Sequence, residues 1–501
     1  MEEIEDSDAS ATGSRFDFWR QRVGLLLGPA ALVAIYWLPM PGVSVEAHKL
    51  TAIMAFTLIY WVSEAIPLAA TALLGPTLCI VLGVADEAKV LAPFANPVTF
   101  LFIGSFMLAK TMQTHGLDRR IALNFLSLPL VARSPATLVA AFGLMTALIS
   151  MWMSNAATTA MMVPIAIGVL RANPHFAADE RAKTRLLLMV AFAASVGGLA
   201  TPVGTPPNLI ALGFMQQLLG VKISFFQWME LALPLTAVLM VFLVWLLRPP
   251  ASARFENHRA LTAEFRRQRR ALGPRSWGEL NTDIVFFSAV ALWIYPGLVE
   301  LVFGGKRFGA AYVAAYFPEA TVGLVAGLAL FLLPVTLRPL KFTLSWRDAA
   351  TIDWGTILLF GGGLALGKQI FDTGLAKAFG EMVVALLGSP GLWTITAMAI
   401  VLSILLSEAT SNTASANVMV PMMIAVAQAA QVNPVPVAIA TCLACSFGFM
   451  MPVSTPPNAI VYSTGLVAMS RMIRFGIILD AAGAVIIWLM IRLLAPALGW
   501  K

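Results

Sequence analysis

Charge is scarce in this sequence. Only 12% of its 501 residues are Asp, Glu, Lys or Arg, against about 25% in a soluble domain. Residues 23–45, 134–170, 186–221 and 409–470 contain none of the four. Hydrophobic residues make up 59%, and the mean hydropathy is +0.82. Apolar runs of this length match the ~20-residue helices that a bilayer core requires. The composition predicts an all-α polytopic protein of the inner or plasma membrane. It excludes a soluble enzyme and a nucleic-acid binder. The net charge of +7 follows from Lys and Arg retained on the cytoplasmic side.

Metal and redox chemistry have little to work with. There are three cysteines and four histidines. Cys442 and Cys445 form a C-x-x-C inside an apolar run, which reads as small packing residues, not a redox pair. His48, His115, His175 and His258 are scattered near loops or span ends and pair at no ligand spacing, so haem and zinc are not expected. No G-x-x-x-x-G-K-[ST] occurs, which excludes an ATP-driven pump within this chain. With no nucleophile–base pair either, the chain is not an enzyme by this reading. The first 14 residues are acidic and polar and do not read as a signal peptide. Residues 1–22 are expected to form a disordered cytoplasmic tail.

Simple spans are expected near 23–41, 50–66, 68–84, 97–112, 229–247, 282–301, 318–335, 354–371 and 474–495. Four longer regions, 136–171, 185–220, 390–428 and 433–466, are interrupted at their middles by Ser, Thr, Asn, Gly or Pro. The chain also repeats itself. Phe100 to Lys110 resembles Leu358 to Lys368. Ser154-Asn155-Ala156-Ala157 matches Ser411-Asn412-Thr413-Ala414, and Pro202 to Asn208 matches Pro452 to Asn458, with Thr-Pro-Pro-Asn in both. With 136–171 and 390–428 as re-entrant hairpins, and 185–220 and 433–466 as broken spanning helices, each repeat crosses five times after one extra helix. Two odd-numbered repeats are inverted, giving about eleven transmembrane helices. Residues 23–247 then hold the first helix and repeat 1, and residues 282–501 hold repeat 2. With the N-terminus inside, most Lys and Arg fall inside, and the basic segment 248–281 becomes a cytoplasmic connector.

The interruptions have a chemical meaning. A helix that stops at mid-membrane frees backbone groups that lipid cannot satisfy. Ser, Thr and Asn satisfy some of them. Half-helix N-termini then offer N–H donors and a positive dipole end to an anion, while carbonyls and hydroxyls suit Na⁺. No Arg, Lys or His stands in these motifs, so co-bound cations are expected to offset the charge of a bound anion. That points to cation coupling and away from an anion channel, which uses rings of basic side chains. Of the other intramembrane charges, Glu64, Glu408 and Asp480 lie in or beside apolar runs. Glu408 reads either as a group holding the second hairpin or as a proton carrier. Lys110 and Lys368, which are repeat mates, are expected to snorkel at interfaces.

These motifs resemble the divalent anion/sodium symporter family. Its paired Ser-Asn-Thr hairpin tips are intact at Ser411-Asn412-Thr413 and altered at Ser154-Asn155-Ala156. The Thr-Pro-Pro-Asn breaks and Ala160-Met-Met-Val-Pro164 also match. The resemblance covers residues 20–500. It implies an inverted-repeat homodimer working as an elevator that carries di- or tricarboxylates or sulfate with Na⁺. By position, it implies one sodium site at Ser150, Ser154, Asn155 and Gly204 and a second at Ser407, Thr410, Asn412 and Ser454. The substrate would meet Ser154, Asn155 and Thr205 from repeat 1, and Ser411, Asn412, Thr413, Thr455 and Pro456 from repeat 2. Sodium-coupled uptake of C4-dicarboxylates such as succinate is the leading expectation. A sulfate or citrate symporter and a sodium-independent dicarboxylate exchanger remain open. Ala156 removes a hydroxyl worth about 1 kcal/mol as a neutral hydrogen bond, unless Thr158 or Thr159 supplies it.

Overall fold

The structure is a computed structural model describing residues 2–255, 258–304, 309–388 and 390–500. It is almost entirely helical. Its one sheet among the described residues is a two-stranded hairpin, Pro334–Leu337 with Leu340–Phe342.

Each of the four interrupted regions is a pair of helices. The first hairpin is Pro135–Ser150 and Asn155–Ala172, with its tip at residues 151–154. The first broken helix is Glu180–Gly198 and Pro206–Leu219. The second hairpin is Leu392–Ala409 and Asn412–Ala429. The second broken helix is Pro434–Cys445 and Pro456–Tyr462. The breaks follow from local chemistry. Ser154 and Ser411 are extended N-caps whose hydroxyls accept from Ala157 N and Ala414 N. Pro206 and Pro456 stand at the first position of the helices they begin, where a missing N–H costs nothing.

Other helices lie near the expected spans, among them Val45–Ser63, Leu68–Val81, Pro97–His115, Phe225–Leu246, Trp277–Phe303, Trp354–Asp372 and Met469–Leu494. The first helix, Glu2–Trp37, begins well before residue 23 and takes in the segment expected to be a tail. Its acidic start suits the positive end of a helix dipole.

The expected count of about eleven crossings is not reached by length and apolarity. Among the described residues, six helices qualify, or seven if Ala310–Tyr316 and Glu319–Ala329, bent by 73°, form one span. Two of the six, Asn155–Ala172 and Leu392–Ala409, are hairpin arms. The unbroken Leu68–Val81 and the half-helices Pro206–Leu219 and Pro434–Cys445 have 14, 14 and 12 residues, which at about 1.5 Å per residue fall short of a ~30 Å hydrocarbon core.

Small residues allow the helices to meet backbone to backbone. A Cβ added at Gly104 would lie 2.1 Å from the Gly323 carbonyl carbon, so Pro97–His115 and Glu319–Ala329 cross in direct contact. Cys442 and Cys445 are free and buried, and Cys442 Sγ lies 3.2 Å from the Pro207 carbonyl, joining the two repeats. His48 and His115 bind the carbonyls of Ile35 and Thr343 at 2.6 and 2.7 Å. Lys368 pairs with Asp372 at 2.8 Å, and Glu64 pairs with Arg20 at 3.0 Å.

The basic connector contains the helix His258–Ala271, with Leu261 and Phe265 buried and its arginines 266, 267, 269 and 270 exposed. Arg267 and Gln268 donate to Glu264 and hold its carboxyl below the usual value.

Gly104→Val drives methyl groups into the Gly323 backbone. Overpacking of this kind costs about 1–3 kcal/mol. The purified variant should melt several degrees lower than wild type, while Gly42→Ala, where a Cβ meets nothing within 4 Å, should shift far less.

Candidate functional site

The two hairpin tips and the two helix breaks come together around one cavity of about 490 Å³. Repeat 1 contributes Ser154, Asn155, Ala156, Thr205 and Pro206 to its wall. Repeat 2 contributes Ser411, Asn412 and Thr413, then Ser454, Thr455 and Pro456. All eight residues expected to meet substrate therefore line a single space. Sequence reasoning missed the opposite wall, formed by Pro67 to Ala69 and by Asp353, Gly355, Thr356 and Leu359. Those residues stand at the starts of helices read as plain spans, so no interruption marked them.

The starts of six helices face this cavity. The N-cap residues Pro67, Ser154, Thr205, Asp353, Ser411 and Thr455 all line it. Each N-terminus is the positive end of a helix dipole with free N–H groups. No Lys, Arg or His is among the lining residues, and Asp353 is the one charged side chain there. Asp353 is engaged by its own helix, accepting from Thr356 N at 3.0 Å and Thr356 Oγ1 at 2.6 Å. The cavity is therefore suited to an anion through dipoles and neutral donors.

Behind each tip lies a second, smaller arrangement, built the same way twice. Ser150 Oγ donates to Asn155 Oδ1 at 2.8 Å, and Ser407 Oγ donates to Asn412 Oδ1 at 2.8 Å. In each repeat the break is held by the asparagine of Thr-Pro-Pro-Asn. Asn208 Nδ2 donates to the carbonyls of Gly198 at 3.0 Å and Thr201 at 2.8 Å. Asn458 Nδ2 donates to those of Gly448 at 3.0 Å and Met451 at 3.1 Å. Tip and break touch in repeat 1, where a Cβ added at Gly198 would lie 2.5 Å from Asn155 Oδ1, and one at Gly204 would lie 3.0 Å from the Met151 carbonyl. Only a residue without a side chain fits at either place.

Of the residues expected at the two sodium sites, Ser150, Ser154, Asn155 and Gly204 thus cluster at the first tip. At the second tip, Ser407 Oγ also lies 2.7 Å from the Cys445 carbonyl, so its one proton is shared between two acceptors. Thr410 turns away from this pair, its buried hydroxyl donating to the Trp61 carbonyl at 3.3 Å, and Ser454 bonds Glu408. The oxygens present are neutral hydroxyl, amide and carbonyl groups, a donor set that fits a small monovalent cation better than a soft metal. Among the described residues, no group of three or more His, Cys, Asp or Glu is placed to hold a metal ion.

The two repeats differ where Glu408 replaces Met151. In repeat 1, Thr201 Oγ1 donates to the Met151 carbonyl and ties break to tip. In repeat 2, Ser454 Oγ lies 3.0 Å from the Glu408 carbonyl, and the Glu408 carboxylate adds to this tie, accepting from Met450 N at 2.7 Å, Met451 N at 3.3 Å and Ser454 Oγ at 2.6 Å. Asp480, 4% exposed on the last helix, lies next to it.

Glu408→Gln replaces a charged acceptor of three hydrogen bonds with a neutral one that also presents N–H groups to a donor. Bonds to charged groups contribute about 1.5–3 kcal/mol each. The variant should melt clearly lower than Glu381→Gln, whose carboxylate is largely exposed. Equal melting temperatures would rule out the carboxylate as the tie.

Comparison with known proteins gives the architecture a family. The sodium:sulfate symporter transmembrane region matches residues 20–500. The sodium-dependent dicarboxylate transporter SdcS of Staphylococcus saprophyticus is 32% identical over 487 residues, covering 95% of this chain and 92% of that protein. SdcS of Staphylococcus aureus is 31% identical over 494 residues, covering 95% and 91%. An uncharacterized transporter of Haemophilus influenzae is 32% identical over 448 residues, covering 88% and 90%. Among solved structures, the Alcanivorax borkumensis YdaH transporter aligns with a TM-score of 0.55 at 13% identity, covering 97% of this chain and 98% of that one. Neisseria gonorrhoeae MtrF aligns at 0.52 and 13%, covering 92% and 96%. At that identity the two structures speak for the fold. The chain belongs to the sodium:sulfate symporter family, the divalent anion/sodium symporters that its motifs resemble, and is a membrane transporter, not an enzyme.

Proposed function

We propose that this chain takes up C4-dicarboxylates such as succinate together with Na⁺, as a homodimer with an N-terminus on the cytoplasmic side. The observation that carries the reading is the cavity itself. Six helix N-termini and no basic side chain surround it, and a neutral hydroxyl–asparagine pair stands behind each tip. An anion held only by dipoles gains from cations bound beside it. Two sodium ions against one dianion leave no net charge, and each favours binding of the other across a few ångströms of low-dielectric protein. The relatives named as sodium-dependent dicarboxylate transporters support both halves of this reading.

The substrate's two carboxylates would divide between the repeats. Ser154, Asn155 and Thr205 would hold one, and Ser411, Asn412, Thr413, Thr455 and Pro456 the other, by hydroxyl, amide and backbone N–H donors. Sodium would be held in repeat 1 by Ser150, Ser154, Asn155 and Gly204, and in repeat 2 by Ser407, Thr410, Asn412 and Ser454. An elevator movement fits the division of the walls. The hairpins and broken helices pack on one another, and the wall from Pro67 to Ala69 and Asp353 to Leu359 belongs to other helices. Thr410 to Trp61 and Gln217 Nε2 to the Leu364 carbonyl at 3.0 Å join the two, and both bonds would be exchanged during movement.

Uptake of labelled succinate into proteoliposomes tests the reading. An inward Na⁺ gradient should concentrate succinate, and K⁺ alone should not. Uptake that ignores Na⁺ but needs dicarboxylate inside would identify an exchanger, and dissipation without concentration would identify a channel.

A second reading, a sulfate carrier, is favoured by Ala156, which faces the cavity where Thr413 stands in the other repeat. Restoring the hydroxyl with Ala156→Thr should tighten dicarboxylate binding by roughly tenfold at most, the upper end of a net neutral hydrogen bond. The same variant should discriminate more strongly against unlabelled sulfate as competitor. Unchanged succinate affinity and unchanged competition would mean that the missing hydroxyl has no part in substrate choice.

A further inference from the structure

Far from the substrate cavity, the first broken helix and the last helix enclose a second space of about 530 Å³. Four guanidinium groups line it: Arg181 and Arg185 from Glu180–Gly198, and Arg471 and Arg474 from Met469–Leu494. Two of them are fixed. Arg471 donates to the Glu180 carbonyl at 2.7 Å and to Thr184 Oγ1 at 2.9 Å, and reaches the Glu180 carboxylate at 3.4 Å. Arg185 donates to the Arg248 carbonyl and lies 5.8 Å from the centre of the Phe475 ring.

The other two are free. Among the described residues, neither Arg181 nor Arg474 has a side-chain hydrogen bond or ion pair, and both lie within electrostatic reach of Arg185. Two acidic groups stand nearby, and the charge of Asp179 acts on Arg185. Asp179 Oδ1 caps its helix, accepting from Arg181 N at 2.9 Å and Ala182 N at 3.1 Å. Glu180 is shared between Lys183 and Arg471. Asp179 and Glu180 are outnumbered by the cations Arg181, Lys183, Arg185, Arg471 and Arg474, so the space carries an excess of positive charge, and the N-terminus of Glu180–Gly198 adds a dipole of the same sign. Like charges held this close repel one another, and an anion placed among them removes the repulsion.

The remaining wall says which kind of anion. Ile478 lines the cavity one helical turn beyond Arg474. Val485 and Leu489 follow at helical spacing on the same stripe of the last helix, and all three are exposed outward. A basic niche at a helix end that opens onto an apolar, outward-facing stripe matches a molecule with a phosphate head and a hydrocarbon tail. A free inorganic anion has no use for the stripe. We propose that this cavity binds an anionic phospholipid, its phosphate between Arg181 and Arg474 and an acyl chain along Ile478, Val485 and Leu489.

The place is mechanically connected to transport. Glu180–Gly198 ends at the first break. The last helix packs on the second, where a Cβ added at Gly476 would lie 2.4 Å from the Phe449 carbonyl oxygen. A phosphate bridging Arg181 and Arg474 ties together the outer ends of the two helices that back the two breaks.

The test uses the full chain, purified in detergent and titrated separately with dioleoylphosphatidylglycerol, dioleoylphosphatidylcholine and inorganic phosphate. Binding is read by native mass spectrometry and by melting temperature. Phosphatidylglycerol should bind and raise the melting temperature by several degrees, and the other two should not. Arg181→Gln/Arg474→Gln should weaken phosphatidylglycerol binding at least tenfold. Arg474→Lys should retain it within about threefold. The control Arg266→Gln/Arg270→Gln, on the exposed face of the connector helix, should bind as wild type does. Equal binding of the two lipids, or undiminished binding by the Arg181/Arg474 variant, would overturn the proposal. Inorganic phosphate matching the lipid, with the same dependence on these arginines, would overturn the assignment to a lipid in favour of a soluble anion.

Discussion

A helix cannot stop inside a bilayer without answering for the backbone groups it leaves open, and this chain interrupts four apolar regions. At the two tips the answer is a capping serine, and at the two breaks an asparagine after two prolines. Asn208 gathers the carbonyls of Gly198 and Thr201, and Asn458 gathers those of Gly448 and Met451. Each unsatisfied group would cost several kcal/mol in a lipid-like surrounding. The same side chain that removes the cost on the carbonyl side leaves the N–H side of the next half-helix uncapped by any charge and directed at the cavity. The substrate space is what remains when the breaks have satisfied themselves.

That constraint explains why the site is neutral. A buried arginine would bind an anion more tightly, but it would need a permanent partner whenever the site emptied. Dipoles carry no such debt, since a helix N-terminus faced by water or by substrate is stable in either state. Selectivity then comes from where the N-termini point and from which hydroxyls accompany them, and the difference between Ala156 and Thr413 becomes large in relative terms.

Much of this was legible in the sequence. The four interrupted regions, their tips at Ser154 and Ser411, and their breaks at the Thr-Pro-Pro-Asn motifs could be read because polar residues in a charge-free run are conspicuous, and because each appears twice. What could not be read were features with no such contrast. The wall from Asp353 to Leu359 belongs to an apolar helix whose start looks like any span boundary. The crossing of Pro97–His115 with Glu319–Ala329 depends on Gly104 meeting Gly323, two glycines among 37. The turn of Thr410 toward Trp61 depends on a buried contact across 349 residues of chain. Arginines 181, 185, 471 and 474 sit at two helix ends far apart in sequence, and each pair alone reads as an ordinary basic flank.

The repeats are alike in geometry and unlike in chemistry, and the difference lies behind the tips, not at them. Repeat 1 ties tip to break through a backbone carbonyl and Thr201, while repeat 2 adds a carboxylate, with Asp480 beside it, to its own contact between Ser454 and the Glu408 carbonyl. A carbonyl link is uncharged and local. A carboxylate that gathers two backbone N–H groups and a hydroxyl is stiffer, and it places negative charge within reach of Ser454 and the second Ser–Asn pair. The two Ser–Asn arrangements of the same shape therefore sit in different electrostatic surroundings, and a positive ion placed at the second would be attracted more strongly. On the proposed sodium sites, that inequality would order binding: the cation of repeat 2 would enter first, and the substrate would then meet one half of its site already formed.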